Sequence, residues 1–140
     1  MFSKRDARID AIADLDIFAK CDRKQLATIA SMSTLVTLPA GSVLCHRGER
    51  GREAFVLVEG SVAVSVEDEA IAVLRPGSVF GEMSLIDGTP RVANVTATSE
   101  VTVLVLTPRE LSSLLDAVPS FAARVYSTLG ARKHDLALSA

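Results

Sequence analysis

The sequence has 140 residues, of which 49% are hydrophobic, and its formal net charge is -2. This length and composition predict one domain with a hydrophobic core, and the weak acidity argues against an extended nucleic-acid-binding surface, which requires a concentrated basic patch. The two cysteines are too few for a disulfide framework and predict reduced thiols. The charged start lacks the apolar stretch of a secretory signal, and no run reaches the roughly 18 apolar residues of a membrane helix. Together these features predict a cytoplasmic protein.

The first region, about residues 6–31, is predicted to be helical. Asp22 and Gln25 have the spacing of a capping box, in which each side chain bonds the backbone N–H of the other residue. A helix is therefore predicted to begin after Asp22, and Asp14 to Phe18 is predicted to join it to an earlier one. Apolar residues recur at helical spacing in both stretches: Ile9, Ile12 and Ala13, then Leu26, Ile29 and Ala30.

The middle region, about residues 33–106, is predicted to consist of short antiparallel strands. Seven of the eight glycines fall between Gly41 and Gly88, and glycine supplies the positive φ that tight turns need. Many short strands without intervening helices predict a jelly-roll-like β-roll, and the flanking helices make the fold class α+β, mainly β. The predicted strands are Thr34–Leu38, Ser42–Cys45, Ala54–Val58, Val62–Val66, Ala70–Leu74, Val92–Ala97 and Val101–Leu106.

The last region, about residues 108–138, is predicted to return to helix. Thr107, Pro108 and Glu110 form a strong start signal, because threonine caps, proline suits the first helical position and glutamate completes a capping box. Pro119 is predicted to bend this helix or to begin a second one. The apolar face after Pro119 consists of Phe121, Val125 and Leu129. It has two interpretations: it packs into the core, or it is a surface that binds a second copy of the chain or an effector protein.

One segment, residues 80–93, interrupts the strands and carries the predicted chemistry. Glu82 to Ile86 is competent to form a short helix, whose free N–H groups just after Gly81 would suit a phosphate. Arg91 would add charge-assisted hydrogen bonds to that anion, and the Glu82 carboxylate would accept one from a neighbouring hydroxyl. Phosphate, hydroxyl and an apolar wall together describe a nucleotide. Spacing alone leaves open a salt bridge between Glu82 and Arg91 in a surface loop.

The stretch Phe-Gly-Glu-Met-Ser-Leu-Ile-Asp-Gly-Thr-Pro-Arg-Val-Ala-Asn-Val, residues 80–95, resembles the phosphate-binding cassette of the cyclic-nucleotide-binding domain family. That family includes protein kinase A regulatory subunits, cyclic-nucleotide-gated channels and catabolite activator proteins. The resemblance covers nearly the whole chain and implies a single such domain over residues 1–140. Further motifs follow in family order: Leu38-Pro39-Ala40-Gly41, Arg47-Gly48-Glu49, Glu59-Gly60-Ser61-Val62 and Pro76-Gly77.

The resemblance implies roles for individual residues. Glu82 would accept a hydrogen bond from the ribose 2′-hydroxyl, and Arg91 would pair with the cyclic phosphate. The backbone amides of Met83 and Ser84, after Gly81, would help to hold the phosphate. The small side chain of Ala93 would let the ligand approach closely. Val64, Ile71 and Val73 would form an apolar wall beside the base, and Leu136 would cover the base as a lid.

Three positions depart from the family pattern. Where members carry threonine or serine after the arginine, the hydroxyl can contact a purine, and threonine often accompanies cGMP. Val92 cannot make this bond, so cAMP is expected in preference to cGMP. Ser84 stands where alanine is common, and its hydroxyl would add one more phosphate contact. Arg52 stands where an acidic residue is usual and is interpreted as a solvated loop charge.

The predicted function is a cyclic-nucleotide sensor whose C-terminal helices move on binding, with Pro119 and Gly130 as flexible points. No catalytic or metal site is expected, because His46 and His134 are isolated and Ser84 lacks a base partner. The ligand, cAMP or cGMP, is thus the only small molecule expected, without a separate cofactor, nucleic acid or membrane. Two alternatives stay open: a degenerate family member that serves as a docking or dimerisation module, and a fragment of a larger regulator or channel.

Overall fold

Two helices precede the strands in the computed structural model, which describes residues 4–127. Helix α1 spans Lys4–Ala13 and helix α2 spans Arg23–Ser31, with a 3-10 turn at Asp16–Phe18 between them. The capping box is confirmed, since the Gln25 N–H donates to Asp22 Oδ1 at 2.8 Å and the Asp22 N–H donates to Gln25 Oε1 at 2.9 Å. These bonds satisfy N–H groups for which the first helical turn has no intrahelical partner.

Eight strands within the described residues form two four-stranded antiparallel sheets, which confirms the predicted β-roll with flanking helices. Sheet A has the order β1-β8-β3-β6 and sheet B has the order β2-β7-β4-β5. The strands are β1 Thr34–Leu38, β2 Val43–Cys45, β3 Ala54–Glu59, β4 Val62–Val66, β5 Glu69–Leu74, β6 Val79–Phe80, β7 Asn94–Ala97 and β8 Val101–Leu106.

The observed strands differ from the predicted ones mainly around the segment 80–93. Strand β6, at Val79–Phe80, is absent from the prediction because two residues are too short to show an alternating pattern. Strand β7 begins at Asn94 rather than Val92, since the preceding Arg91 forms its backbone hydrogen bonds with the loop after β2 instead of with a strand of sheet B.

Strand β3 is buried on both faces, which makes sheet A the middle layer of the fold. Its first five residues are all apolar and all buried, as expected for a strand covered on both sides. Ala54, Val56 and Val58 pack with helical residues in one hydrophobic cluster, whereas Phe55 and Leu57 pack with residues of sheet B in another. Sheet A therefore separates the N-terminal and C-terminal helices from sheet B.

The C-terminal helices begin where the sequence predicts them. Thr107 caps helix α4, Pro108–Ala117, and the Glu110 side chain completes the capping box. Val118 leaves the helical conformation, as residues before proline tend to do, and a further helix runs over residues 119–127. Pro119 therefore begins a second helix rather than bending the first.

The helix over residues 119–127 is anchored in the core. Phe121 and Val125 are completely buried, and the Phe121 ring lies 5.6 Å from that of Phe18. Arg124 forms an ion pair with Asp16, beside the same 3-10 turn. Of the two interpretations of this apolar face, core packing is therefore correct for Phe121 and Val125, whereas Leu129, Gly130 and Leu136 lie outside the described residues.

The hairpin between β4 and β5 turns through Glu67 and Asp68, whose φ values are 52° and 65°. Two consecutive left-handed residues between the paired Val66 and Glu69 define a type I′ turn, which favours asparagine and glycine. The turn is therefore held in a conformation that a side chain disfavours, although aspartate tolerates it better than most residues.

Substitution of Asp68 tests this conformational cost. Asp68→Gly is expected to raise the free energy of unfolding by about 0.5–1 kcal/mol, because glycine adopts this φ without a Cβ penalty. Asp68→Ala, the matched control, is expected to lower it by a similar amount. Urea denaturation measures both variants against the parent, and equal stability of the two would contradict the assigned strain.

Candidate functional site

A cleft of about 360 Å³ lies between sheet B and the segment 80–93. That segment contributes residues 80–84 and 89–93 to its lining. The strands of sheet B contribute an apolar wall consisting of Cys45, Val64, Ile71, Ala72, Leu74 and Val95. Nine of the eleven predicted site residues line this one cleft: Gly81, Glu82, Met83, Ser84, Arg91, Val92, Ala93, Val64 and Ile71.

A short helix, α3, Glu82–Asp87, turns two polar side chains toward the cleft. It lies between two left-handed glycines, Gly81 with φ 81° and Gly88 with φ 69°, a conformation that favours glycine. Glu82 is 0% exposed and Ser84 is 8% exposed. The complete burial of Glu82 rules out the interpretation that places it in a surface loop.

The Arg91 side chain is held by two backbone carbonyl groups. Its Nη1 donates to the Gly81 oxygen at 2.6 Å and its Nη2 donates to the Glu53 oxygen at 2.7 Å. Its backbone is fixed as well, since the Gly48 N–H donates to the Arg91 oxygen and the Arg91 N–H donates to the Glu49 oxygen, both at 2.8 Å. A guanidinium group has five N–H donors, so N–H groups remain after these two bonds.

Gly51 packs directly against the site and was missed from the sequence. A Cβ atom on Gly51 would lie 2.5 Å from Ser84 Cβ and 2.9 Å from Arg91 Cζ, well inside the usual separation of nonbonded carbon atoms. A Cβ on Gly81 would likewise lie 2.7 Å from Arg91 Nη1. The sequence signal that could have indicated a close approach is the pair of glycines, Gly48 and Gly51, in the loop between β2 and β3.

The apolar wall is placed by a β-bulge. The register of β4 against β5 shifts between Val64 and Ser65, so that Val64 pairs with Ala72 and Ser65 pairs with Ala70. Ile71, Ala72 and Leu74 line the cleft, whereas Val73 is 61% exposed and lies outside the lining. A bulge of this kind interrupts the alternation of faces, so the pattern of apolar residues in β5 does not identify the cleft side.

The remaining predicted residues complete the rim. Ala93 is buried and small, and Val92 is 47% exposed although it lines the cleft. Leu136, the predicted lid, lies outside the described residues. Thr89 and Pro90 also line the cleft and were missed, although both directly precede Arg91 in the sequence.

The cleft combines a cation, a carboxylate, a hydroxyl and an apolar wall. A guanidinium with N–H groups to spare suits an anion, and a buried carboxylate suits a hydroxyl donor. No group of three potential metal ligands occurs among residues 4–127. In the same range, every helix is too short or too polar to cross a bilayer.

Comparison with known sequences assigns the family. The family described as "Cyclic nucleotide-binding domain" matches residues 35–117, more than half of the chain. The chain belongs to the cyclic nucleotide-binding domain family. Members of this family with similar sequence include cyclic nucleotide-gated potassium channels of Rhizobium etli and Mesorhizobium japonicum, 36% identical over 117 residues and 38% identical over 111 residues.

These channels are longer than the present chain. The matches cover 84% and 79% of this chain but 33% and 31% of the two channels, so the chain spans about a third of their length. Among solved structures, "Sp-2Cl-cAMPS bound to PKAR CBD2" has a TM-score of 0.80 at 22% identity and covers 96% of this chain and 92% of that one. The cyclic nucleotide-binding fold is therefore shared over nearly the whole chain.

Proposed function

We propose that this domain binds a cyclic nucleotide, cAMP in preference to cGMP, in the cleft beside α3, and that it acts as a sensor. The observation that carries the proposal is that Arg91, Glu82 and an apolar wall line the same cleft. These groups suit the phosphate, the ribose hydroxyl and the base of one ligand. The family assignment and the gated channels among the relatives support the same class of ligand.

The phosphate would lie between Arg91 and the start of α3. The two carbonyl bonds orient the guanidinium and leave N–H groups for the exocyclic oxygens of a cyclic phosphate. The N–H groups of Met83 and Ser84, in the first turn of α3, would add donors, and the Ser84 hydroxyl would add one more. The small side chain of Ala93 leaves room for the ligand.

The ribose would be held by Glu82. An ionised carboxylate only accepts hydrogen bonds, so its natural partner in the cleft is the 2′-hydroxyl rather than the phosphate. The base would lie against Val64, Ile71 and neighbouring apolar residues. Val92 has no hydroxyl to contact a purine, which supports adenine over guanine at this position.

Ligand binding would be transmitted to the helices through α3. Glu82 and Ser84 line the cleft, while Leu85 and Ile86 of the same helix pack against the cluster that contains Phe121 and Val125. A shift of α3 on binding would therefore change the packing of the C-terminal helices. The ligand would favour whichever arrangement binds it more tightly.

Titration calorimetry with cAMP, cGMP and 2′-deoxy-cAMP tests the ligand and the role of Glu82 together. The parent is expected to bind cAMP most tightly and to lose about 10-fold or more in affinity for the 2′-deoxy analogue, because a hydrogen bond to a charged group contributes about 1.5–3 kcal/mol. Glu82→Gln is expected to narrow this preference, and Glu59→Gln, an exposed carboxylate at the end of β3, is expected to keep it.

Two outcomes would count against the proposal. No binding of any cyclic nucleotide by the parent would contradict the ligand assignment and favour the degenerate family member over the sensor. An unchanged preference for cAMP over its 2′-deoxy analogue in Glu82→Gln would remove Glu82 from the ribose site.

A further inference from the structure

The backbone of Gly51, in the loop between β2 and β3, differs from that of the other described glycines. Of the seven glycines among residues 4–127, six have positive φ, and Gly51 is the exception. An L-amino acid with a side chain would therefore adopt this conformation without left-handed strain. The requirement for glycine at this position arises from the neighbouring atoms and not from the backbone.

Those neighbouring atoms belong to both parts of the candidate anion site. The three atoms nearest to a Cβ added on Gly51 would be Ser84 Cβ at 2.5 Å, Arg91 Cζ at 2.9 Å and Arg91 Nη1 at 3.0 Å. Ser84 lies in the first turn of α3, and both Ser84 and Arg91 line the cleft. Gly51 itself is not among the residues that line it.

Neither neighbour can move away without changing the site. Ser84 Cβ is bonded to the backbone of α3, so its position changes only together with the helix. The Arg91 guanidinium donates to the carbonyl oxygens of Gly81 and Glu53 at 2.6 and 2.7 Å, and its displacement would distort both hydrogen bonds.

The loop that carries Gly51 is also tied to the cleft. Backbone hydrogen bonds of 2.8 Å join residues 48 and 49 to Arg91, and Arg50 forms an antiparallel bridge with Pro90. The residues directly before Gly51 therefore hold it against segment 80–93, and an added methyl group would act on the anion site rather than on solvent.

We propose that Gly51 is a positioning residue of the anion site. Its missing side chain sets the distance between the Arg91 guanidinium and the first turn of α3, so that both contact the same phosphate. This role rests on the proposed function, because it assumes that the anion is the phosphate of a cyclic nucleotide.

Titration calorimetry of Gly51→Ala with cAMP tests the role. The affinity is expected to fall at least about 10-fold, because charge-assisted hydrogen bonds weaken steeply when donor and acceptor are misaligned. The matched control is Gly41→Ala, which introduces left-handed strain at φ 90° but meets nothing within 4 Å. It is expected to lower the urea midpoint and to keep the parental affinity. Parental affinity in a folded Gly51→Ala protein would overturn the proposal.

A double-mutant cycle with Arg91→Lys separates positioning from general destabilisation. Lysine has no guanidinium for the added methyl group to displace, so Gly51→Ala is expected to cost the Arg91→Lys protein a smaller factor in affinity than it costs the parent. Equal factors in the two backgrounds would show that Gly51 does not act through Arg91, and would overturn the assignment.

NMR of the arginine side chains without ligand gives a measurement that does not depend on the proposed function. Two fixed carbonyl acceptors slow the rotation of the guanidinium, so the parent is expected to show separate Nη signals for Arg91, identified by their loss in Arg91→Lys. Gly51→Ala is expected to merge or shift them, and unchanged signals would contradict the inference even if the parent bound no cyclic nucleotide. If Gly51→Ala does not fold, Gly51→Ala/Ser84→Gly, which removes the nearest contact, is compared with Ser84→Gly in the same measurements.

Discussion

Arg91→Ala is expected to weaken cyclic-nucleotide binding by at least about 100-fold. The guanidinium is the one cationic side chain that lines the cleft within the described residues, and each charge-assisted hydrogen bond to a phosphate contributes about 1.5–3 kcal/mol. Arg91→Lys keeps the charge but loses the planar fork, so it is expected to recover only part of the affinity. Titration calorimetry with cAMP measures all three proteins.

The matched control is Arg109→Ala, which removes the same charge from an exposed position on α4. Its affinity is expected to remain within about threefold of the parent, as surface charges far from a ligand are screened. Thermal melts of the variants confirm that each is folded at the titration temperature. Parental affinity in a folded Arg91→Ala protein would contradict the phosphate assignment.

Gly60→Ala is expected to destabilise the fold by about 3 kcal/mol or more. Gly60 lies between β3 and β4 with φ 88°, and an added Cβ would lie 2.8 Å from Ser99 Oγ, 2.9 Å from Val101 Cγ1 and closer still to the Glu100 carbonyl oxygen. The variant therefore combines the strain of a left-handed alanine with a steric clash against the backbone. Each of these effects lowers the free energy of unfolding by about 1–3 kcal/mol.

Gly41→Ala separates these two costs. Gly41 has nearly the same φ, 90°, but an added Cβ would meet nothing within 4 Å. It is expected to lose only about 1–2 kcal/mol, from the conformational term alone. Urea denaturation gives both values, and equal losses would show that the loop at Ser99–Val101 yields without cost.

Local signals in the sequence predict most of the fold. Both capping boxes, at Asp22 and Thr107, form with the predicted partners, because a cap depends on residues three positions apart. Strands β1, β4 and β8 have the predicted bounds, since each is a run of apolar and β-branched residues between turn residues. Segment 80–93 was found by its interruption of this pattern and by the family resemblance.

What the sequence does not predict depends on contacts between distant segments. Gly51 approaches Ser84 and Arg91, more than thirty residues away; the nearby Gly48 and Gly51 predict a tight loop but do not identify the residues that the loop contacts. Val73 lies between the cleft-lining Ala72 and Leu74 and alternation turns it away, whereas the bulge leaves Ile71 on the cleft side beside Ala72; a bulge changes the face of a side chain without changing the composition of the strand.

The two carbonyl bonds to Arg91 have a kinetic and entropic consequence. An arginine side chain in solution has about 2 kcal/mol of rotamer entropy to lose when it is fixed. Here the carbonyl groups of Gly81 and Glu53 already hold the Arg91 side chain in the folded protein. The loss of rotamer entropy therefore occurs on folding and does not weaken the binding of a ligand. If the cleft binds the phosphate as proposed, that anion would meet a donor already in position, and its rate of binding would depend on diffusion and access rather than on a rearrangement of the side chain.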